Sequence, residues 1–156
     1  MLKELTIEEA KAILNEKGYG FIGCNDGFNT YIYPTNYIYD GRHILCQSML
    51  ASKILMMREN KRVCFQVEAH SENMYRKSVT VLGQYVELKN VRERYEAIKK
   101  FVEKTMHLSM SEEIEYLQSE KKQISPKENK LYKPVIYKIY IEEIKGSIET
   151  EHHVTF

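Results

Sequence analysis

Residues 19 to 48 read YGFIGCNDGFNTYIYPTNYIYDGRHILCQS, and this run limits the possible folds more than any other feature. Aromatic and β-branched residues alternate with others at a period of two, which suits strands and not helices. Asp26-Gly27 and Asp40-Gly41 supply residues that tolerate the positive φ of tight hairpin turns. The stretch therefore predicts three consecutive antiparallel strands. RVCFQVEA and KSVTVLGQYVEL add two strands of high β-propensity, and PVIYKIYIEEIKGSIE closes the set with clean alternation.

Helical spacing appears in three places. Thr6 followed by Glu9 is a capping-box signature with Ile7, Ala10, Ile13 and Leu14 on one face behind it, which predicts a short helix ending near Gly18. A second helix is expected at about 49–59. A third, over 91–106, sets Val91, Tyr95, Ile98, Phe101 and Val102 among charges and is read as amphipathic, lying over a sheet. Residues 107–133 turn polar and are expected to be mobile, with a short helix at SEEIEYLQ, and TEHHVTF is a tail. There is no internal repeat. The expectation is one mainly β (α+β) domain over 1–156: a six-stranded antiparallel barrel with flanking helices.

Charge narrows the function. The 23 Lys and Arg against 22 Asp and Glu leave a net +1, without the basic excess that neutralises nucleic-acid phosphates. No apolar run approaches the roughly 20 residues of a membrane helix, and MLKELTIEEAKAIL carries acids through a helical pattern unlike a leader. A soluble, unprocessed, cytoplasmic protein is expected. Cys24, Cys46 and Cys64 are far apart with no C-x-x-C pair, and read as buried, reduced thiols. His43, His70 and His107 are isolated and His152-His153 sits in the tail, so no metal site is expected.

Three stretches could carry chemistry. In ILCQSMLASKILMMREN a strand gives way to a helix around Ser48, Ser52 and Lys53. Ser48 as a plain helix cap is one reading; an anion held by hydroxyls, an ammonium and helix N–H groups is the other. In YIYPTNYIY, Pro34 marks an edge or bulge where Thr35 and Asn36 can meet a ligand. Tyr31, Tyr33, Tyr37 and Tyr39 are ordinary strand aromatics or the walls of a site for a flat conjugated molecule. In NMYRKSVTVLGQYVEL, Gly83 signals a bend or close backbone approach, Gln84 offers a donor and an acceptor, and Arg76 and Lys77 are cations near the strand start.

The order GYGFIGCNDG, YIYPTNYIYDGRHILCQSMLASKILMMRENKRVCFQVE, YRKSVTVLGQYVEL and VIYKIYIEEIKGS resembles the FMN-binding split-barrel family of pyridoxamine 5′-phosphate oxidase-like proteins, and within it the nitroimidazole-resistance (Nim-type) branch. The resemblance implies a six-stranded split barrel that forms a homodimer with FMN at the interface. It implies that Ser48, Ser52 and Lys53 hold the FMN phosphate, that Tyr33, Pro34, Thr35 and Asn36 line the isoalloxazine, and that Gln47 sits beside the ribityl chain or ring. Tyr75, Arg76, Gly83 and Gln84 would come from the facing subunit. The activity implied is an FMN-dependent oxidoreductase passing electrons from a reduced nicotinamide to a small, nitroaromatic acceptor, with no side-chain catalyst named. The alternative is a flavin- or haem-binding dimer for storage, sensing or scavenging. Two departures stand out. Gln47 replaces a histidine common in the Nim-type branch and cannot exchange a proton near neutral pH, and KGSIETEHHVTF lacks the arginine-rich substrate motif of the oxidase proper.

Overall fold

Alternation becomes register in the computed structural model, which describes residues 2–70, 75–105 and 134–150. The six expected strands are present, and a short seventh precedes them. In chain order the elements are β1 (Leu2–Glu4), α1 (Ile7–Glu16), β2 (Tyr19–Asn25), β3 (Thr30–Tyr39), β4 (His43–Ser48), α2 (Ser52–Glu59), β5 (Arg62–His70), β6 (Tyr75–Glu87), α3 (Val91–Thr105) and β7 (Val135–Thr150). The strands form one sheet in the order β1-β7-β4-β3-β2-β5-β6, and β6 pairs back onto β7 to close the ring. Every pairing is antiparallel. This is a split barrel with flanking helices. The segment 107–133 and the tail histidines lie outside the described residues.

Both hairpins turn as their Asp-Gly pairs require, with Gly27 at φ 98° and Gly41 at φ 95°. Asp26 Oδ1 accepts from the backbone N–H of Phe28 and Asn29, and Asp40 Oδ1 accepts from those of Arg42 and His43. At the middle of β6 the register slips between Leu82 and Gly83. A Cβ at Gly83 would collide with the Tyr140 carbonyl oxygen, so this glycine serves the close approach of β6 and β7.

Inward residues of the ring make the core: Ile22, Tyr37, Ile44, Cys46, Phe65, Val67, Val79, Val81, Tyr137 and Ile139 are buried in one cluster. Each large apolar side chain sealed there contributes roughly 1.5–3 kcal/mol. The Tyr37 hydroxyl stays satisfied by donating to the Leu14 carbonyl at 2.8 Å, which ties α1 across one end of the barrel. Outside the ring, α3 packs Ala97 and Ile98 on Leu88 and Ile136, while Phe101 packs on Ile38 and Leu45.

Four expectations are corrected. The first residues form β1, paired to the end of β7, and do not continue the helical pattern. α2 begins at Ser52 and not near 49, because Ala51 is its N-cap residue; Ser48 therefore caps nothing. α3 exposes Val91 and Tyr95 and buries Arg94, whose Nη2 donates to the Pro134 carbonyl at 3.0 Å; a satisfied guanidinium takes the place of an apolar contact. Cys64 is exposed, since β5 turns Val63, Phe65 and Val67 inward and leaves the residues between them outside.

Candidate functional site

Period-two alternation divides the second predicted stretch between two surfaces. Tyr33 packs against the core and Thr35 is buried, whereas Pro34 and Asn36 are exposed on the other face. The four do not line one surface together. Tyr37 pairs with Cys46. Continuing that register sets Asn36 across from Gln47 on the outer face and Thr35 across from Ser48 on the inner. Asn36 and Gln47 are both exposed, each one residue beyond the last β3–β4 pair. Pairing with β4 is confined to Tyr37–Tyr39, which leaves the Thr30–Asn36 half of β3 paired to β2 alone. Pro34 can sit in a strand there because one side of that strand is a local edge.

The rim above these residues is the start of α2. Its N-cap Ala51 has no side-chain hydrogen bond to give, and the first turn holds no acid. The Ile54 and Leu55 N–H groups both return to the Ala51 carbonyl. The N–H groups of Ser52 and Lys53 are left at the positive end of the helix dipole. Ser52 is exposed and Lys53 half-buried. Ser48, below them, is half-buried and donates its hydroxyl to the neighbouring Met49 carbonyl at 2.9 Å. Lys53 Nζ lies 5.9 Å from the centre of the Tyr33 ring, which holds the ammonium by its π face. Among the described residues Lys53 has no carboxylate partner; the remaining ion pairs lie elsewhere, as at Arg58 and Glu87, 3.0 Å apart.

Beneath Lys53 is a feature the sequence did not disclose. Tyr137 Oη is wholly buried and makes no aligned hydrogen bond, although the Cys46 thiol and Thr35 hydroxyl lie beside it. Burial pushes the Tyr137 phenol up, and it pushes the Cys46 thiol up to about 12 against the opposing pull of Tyr137, Thr35 and the Lys53 charge. Burial likewise raises the Cys24 thiol against the same lysine charge. Both buried cysteines are neutral thiols at physiological pH and offer no thiolate nucleophile. Nothing in the alternation of β7 distinguishes Tyr137 from its neighbours, because its unmet hydroxyl depends on which strands surround it.

The remaining predicted residues lie apart in one chain. Ser48 pairs with Val135 at the start of β7, whereas Tyr75 and Arg76 pair with Thr150 and Glu149 at its end. Tyr75 and Arg76 are exposed. Gly83 is fixed by the bulge, and Gln84 donates from Nε2 to Glu142 Oε1. Among the described residues no cluster of His, Cys, Asp or Glu could hold a metal ion. Nor is any described helix long and apolar enough to cross a membrane.

An uncapped helix start joined to an open sheet edge is a recognisable arrangement, and relatives bear on it. The family model described as pyridoxamine 5′-phosphate oxidase matches residues 6–148. The chain belongs to that family. Solved structures place it further within the pyridoxamine 5′-phosphate oxidase-like split barrels. It is similar to a FAD-binding protein from Mesorhizobium loti at 25% identity and a TM-score of 0.73, over 97% of this chain and 98% of that one. A protein provisionally assigned to 5-nitroimidazole antibiotic resistance in Bacteroides thetaiotaomicron superposes at 17% identity and a TM-score of 0.70, over 95% and 89% of the two chains. A flavocytochrome from Azotobacter vinelandii shares the fold at 18% identity and a TM-score of 0.66, over 96% and 70%. No curated protein matches the chain. The family thus includes flavin-binding members.

Proposed function

We propose that the protein is an FMN-binding oxidoreductase that takes electrons from a reduced nicotinamide and passes them to a small, nitroimidazole-like acceptor. One observation carries this reading: α2 starts without a side-chain cap or an acid, with Ser52 and the half-buried, carboxylate-free Lys53 at its mouth. A phosphate with close to two negative charges matches helix N–H groups, hydroxyls and one ammonium. Ser48, Ser52 and Lys53 would hold that group. Pro34, Asn36 and Gln47 would meet the ring on the outer face, where the two carboxamides supply donors and acceptors to its polar edge. Tyr33 would act through Lys53, and Thr35 through the buried layer below.

The flavin, when bound, supplies the redox chemistry; the protein's part is to bind, orient and exclude water. No residue at this site is well placed to move a proton: Gln47 does not titrate, and the Cys46 thiol is locked neutral by burial. This favours a second reading, in which the same site holds a flavin or haem without turnover.

We also read the protein as a homodimer. The outer face of β2, β3 and β6 exposes Tyr19, Phe21, Ile32 and Leu82, and an apolar sheet face of this kind suits a second copy. Tyr75, Arg76 and Gln84 would then reach the site from the facing subunit.

Titration with FMN, riboflavin and FAD tests the phosphate. FMN should bind with the visible spectrum of a held flavin, and riboflavin at least tenfold more weakly. Equal affinity for riboflavin would remove the phosphate site. Anaerobic mixing with reduced nicotinamide then separates the two readings, since bleaching of the flavin and its recovery on adding a nitroimidazole supports the enzyme, and no bleaching supports the holder.

A further inference from the structure

Among the described residues the most exposed large apolar side chain is not at this site. Phe28, 93% exposed, stands at the tip of the β2–β3 hairpin. That tip is rigid. Asp26 N–H donates to the Asn29 carbonyl at 3.2 Å, Gly27 N–H to Asn25 Oδ1 at 2.6 Å, and Asn25 Nδ2 to Thr30 Oγ1 at 2.9 Å. Asp26 Oδ1 also accepts the two backbone N–H groups of Phe28 and Asn29. The turn backbone is held before any partner arrives, and an aromatic presented from an ordered turn is what interfaces use as an anchor.

A depression lies at the base of the same hairpin. Gly23, Cys64, Leu82 and Gly83 floor a depression of about 290 Å³ that begins at Asn25 and Thr30, the base of the same hairpin. Across the outer face the register runs Ile32, Gly23, Cys64, Leu82, and the Cys64 thiol lies over Gly23, which has no room for a side chain of its own. Arg62 and Glu142 stand at its rim, and the Arg62 side chain is 79% exposed with only a 3.8 Å contact to Glu142. The depression has room for one phenyl ring, and Arg62 offers a cation to the Asp26 carboxylate that accompanies Phe28.

A knob at a hairpin tip and a depression at the base of that hairpin, with a cation at its rim, can be exchanged under a two-fold axis: each copy gives its knob and receives the other's. We propose that Phe28 of one protomer inserts into the Gly23–Cys64–Leu82–Gly83 depression of a second copy, with Asp26 facing Arg62. The inference rests on the homodimer reading and names the interlock within it.

The test compares the full-length protein with Phe28→Asp and, at the hole, Leu82→Arg. Association is measured by sedimentation, and Cys64 exposure by its rate of reaction with an aromatic disulfide reagent. Cys24 and Cys46 are buried and stay silent. The wild type should be a dimer with a slowly reacting Cys64, and either substitution should weaken association at least tenfold and free the thiol. Phe28 touches little of its own fold, so Phe28→Asp should melt like the wild type. A wild-type dimer whose strength or Cys64 protection is unchanged by Phe28→Asp overturns the interlock and leaves the flavin site standing. So does a wild-type dimer with a freely reacting Cys64. A monomeric wild type overturns the interlock and the homodimer reading together.

Discussion

Two helix starts in this chain face the same electrostatic problem and resolve it in opposite ways. α1 is sealed by its own sequence: Thr6 accepts from the Glu9 N–H at 3.2 Å, and Glu8 and Glu9 place negative charge against the dipole. α2 has Ala51 at its cap, no acid in its first turn, and a lysine in their stead. α3 sides with α1, since Asn90 Oδ1 accepts from the Arg92 and Glu93 N–H groups. A cap contributes about 1 kcal/mol to a helix. Omitting one of three leaves stability unclaimed at the point where a ligand could supply it. The difference teaches that a candidate site is marked by a missing local interaction as much as by the residues present.

The comparison breaks most visibly at Lys53. Lys53→Met removes the one cation at the open start, and a hydrogen bond to an ionised group is worth about 1.5–3 kcal/mol. FMN retention, read by quenching of flavin fluorescence, should fall about ten- to hundred-fold. Lys99→Met on exposed α3 should leave it unchanged, and equal losses would remove the phosphate assignment.

Giving α2 the cap that α1 has should sharpen the contrast. Ala51→Asp supplies both acceptor and negative charge, so the flavin-free protein should gain about 1 kcal/mol, seen as a melting point a few degrees higher. FMN should bind about tenfold more weakly, because a carboxylate now occupies the ground meant for phosphate. Stability and affinity moving in the same direction would show that the start of α2 is only an imperfect helix end. The reciprocal change, Thr6→Ala, should cost about 1 kcal/mol of stability and leave FMN affinity where it was.

The smallest effect is at the far end of α2, which is closed where its start is open. Arg58 Nε reaches Glu87 Oε1 at 3.0 Å, and Tyr85 Oη donates to the same oxygen at 2.7 Å. Burial raises the Glu87 carboxyl, but Tyr85 and Arg58 outweigh it and hold the group below its ordinary value of 4.5. A depressed folded pKa contributes stability that is fully present above the unfolded value and is lost as pH falls through the folded one. The stability difference between the wild type and Glu87→Gln should therefore be constant near neutrality and shrink below about pH 4.5, measured by urea unfolding across pH.

Much of this could be read in advance, and for a local reason. The hairpins at Asp26-Gly27 and Asp40-Gly41, the capping box at Thr6 and the close approach at Gly83 follow from residues that dictate their own φ/ψ or that of near neighbours. The candidate site could be proposed from the sequence as a place, Ser48 to Lys53, but not as an arrangement. Ser48 looked like the cap, and only the three-residue turn through Met49 and Leu50 to Ala51 moves the cap to a residue that cannot perform it. Tyr33, Pro34, Thr35 and Asn36 looked like one surface until pairing with β2 and β4 assigned alternate members to the core and to solvent. Cys64 misled for the same reason.

The sequence alone determined six of the seven described strands, their turns and the family, because period-two alternation and turn chemistry act between residues a few positions apart. Tertiary structure alone decided that Tyr137 lies beside Thr35 and Cys46, that Lys53 stands over Tyr33, and that Arg62, Leu82 and Glu142 gather around Gly23. Those relations depend on which strands become neighbours and in what register. Closure of β6 onto β7 sets that for the whole ring, through contacts between residues that no local pattern connects.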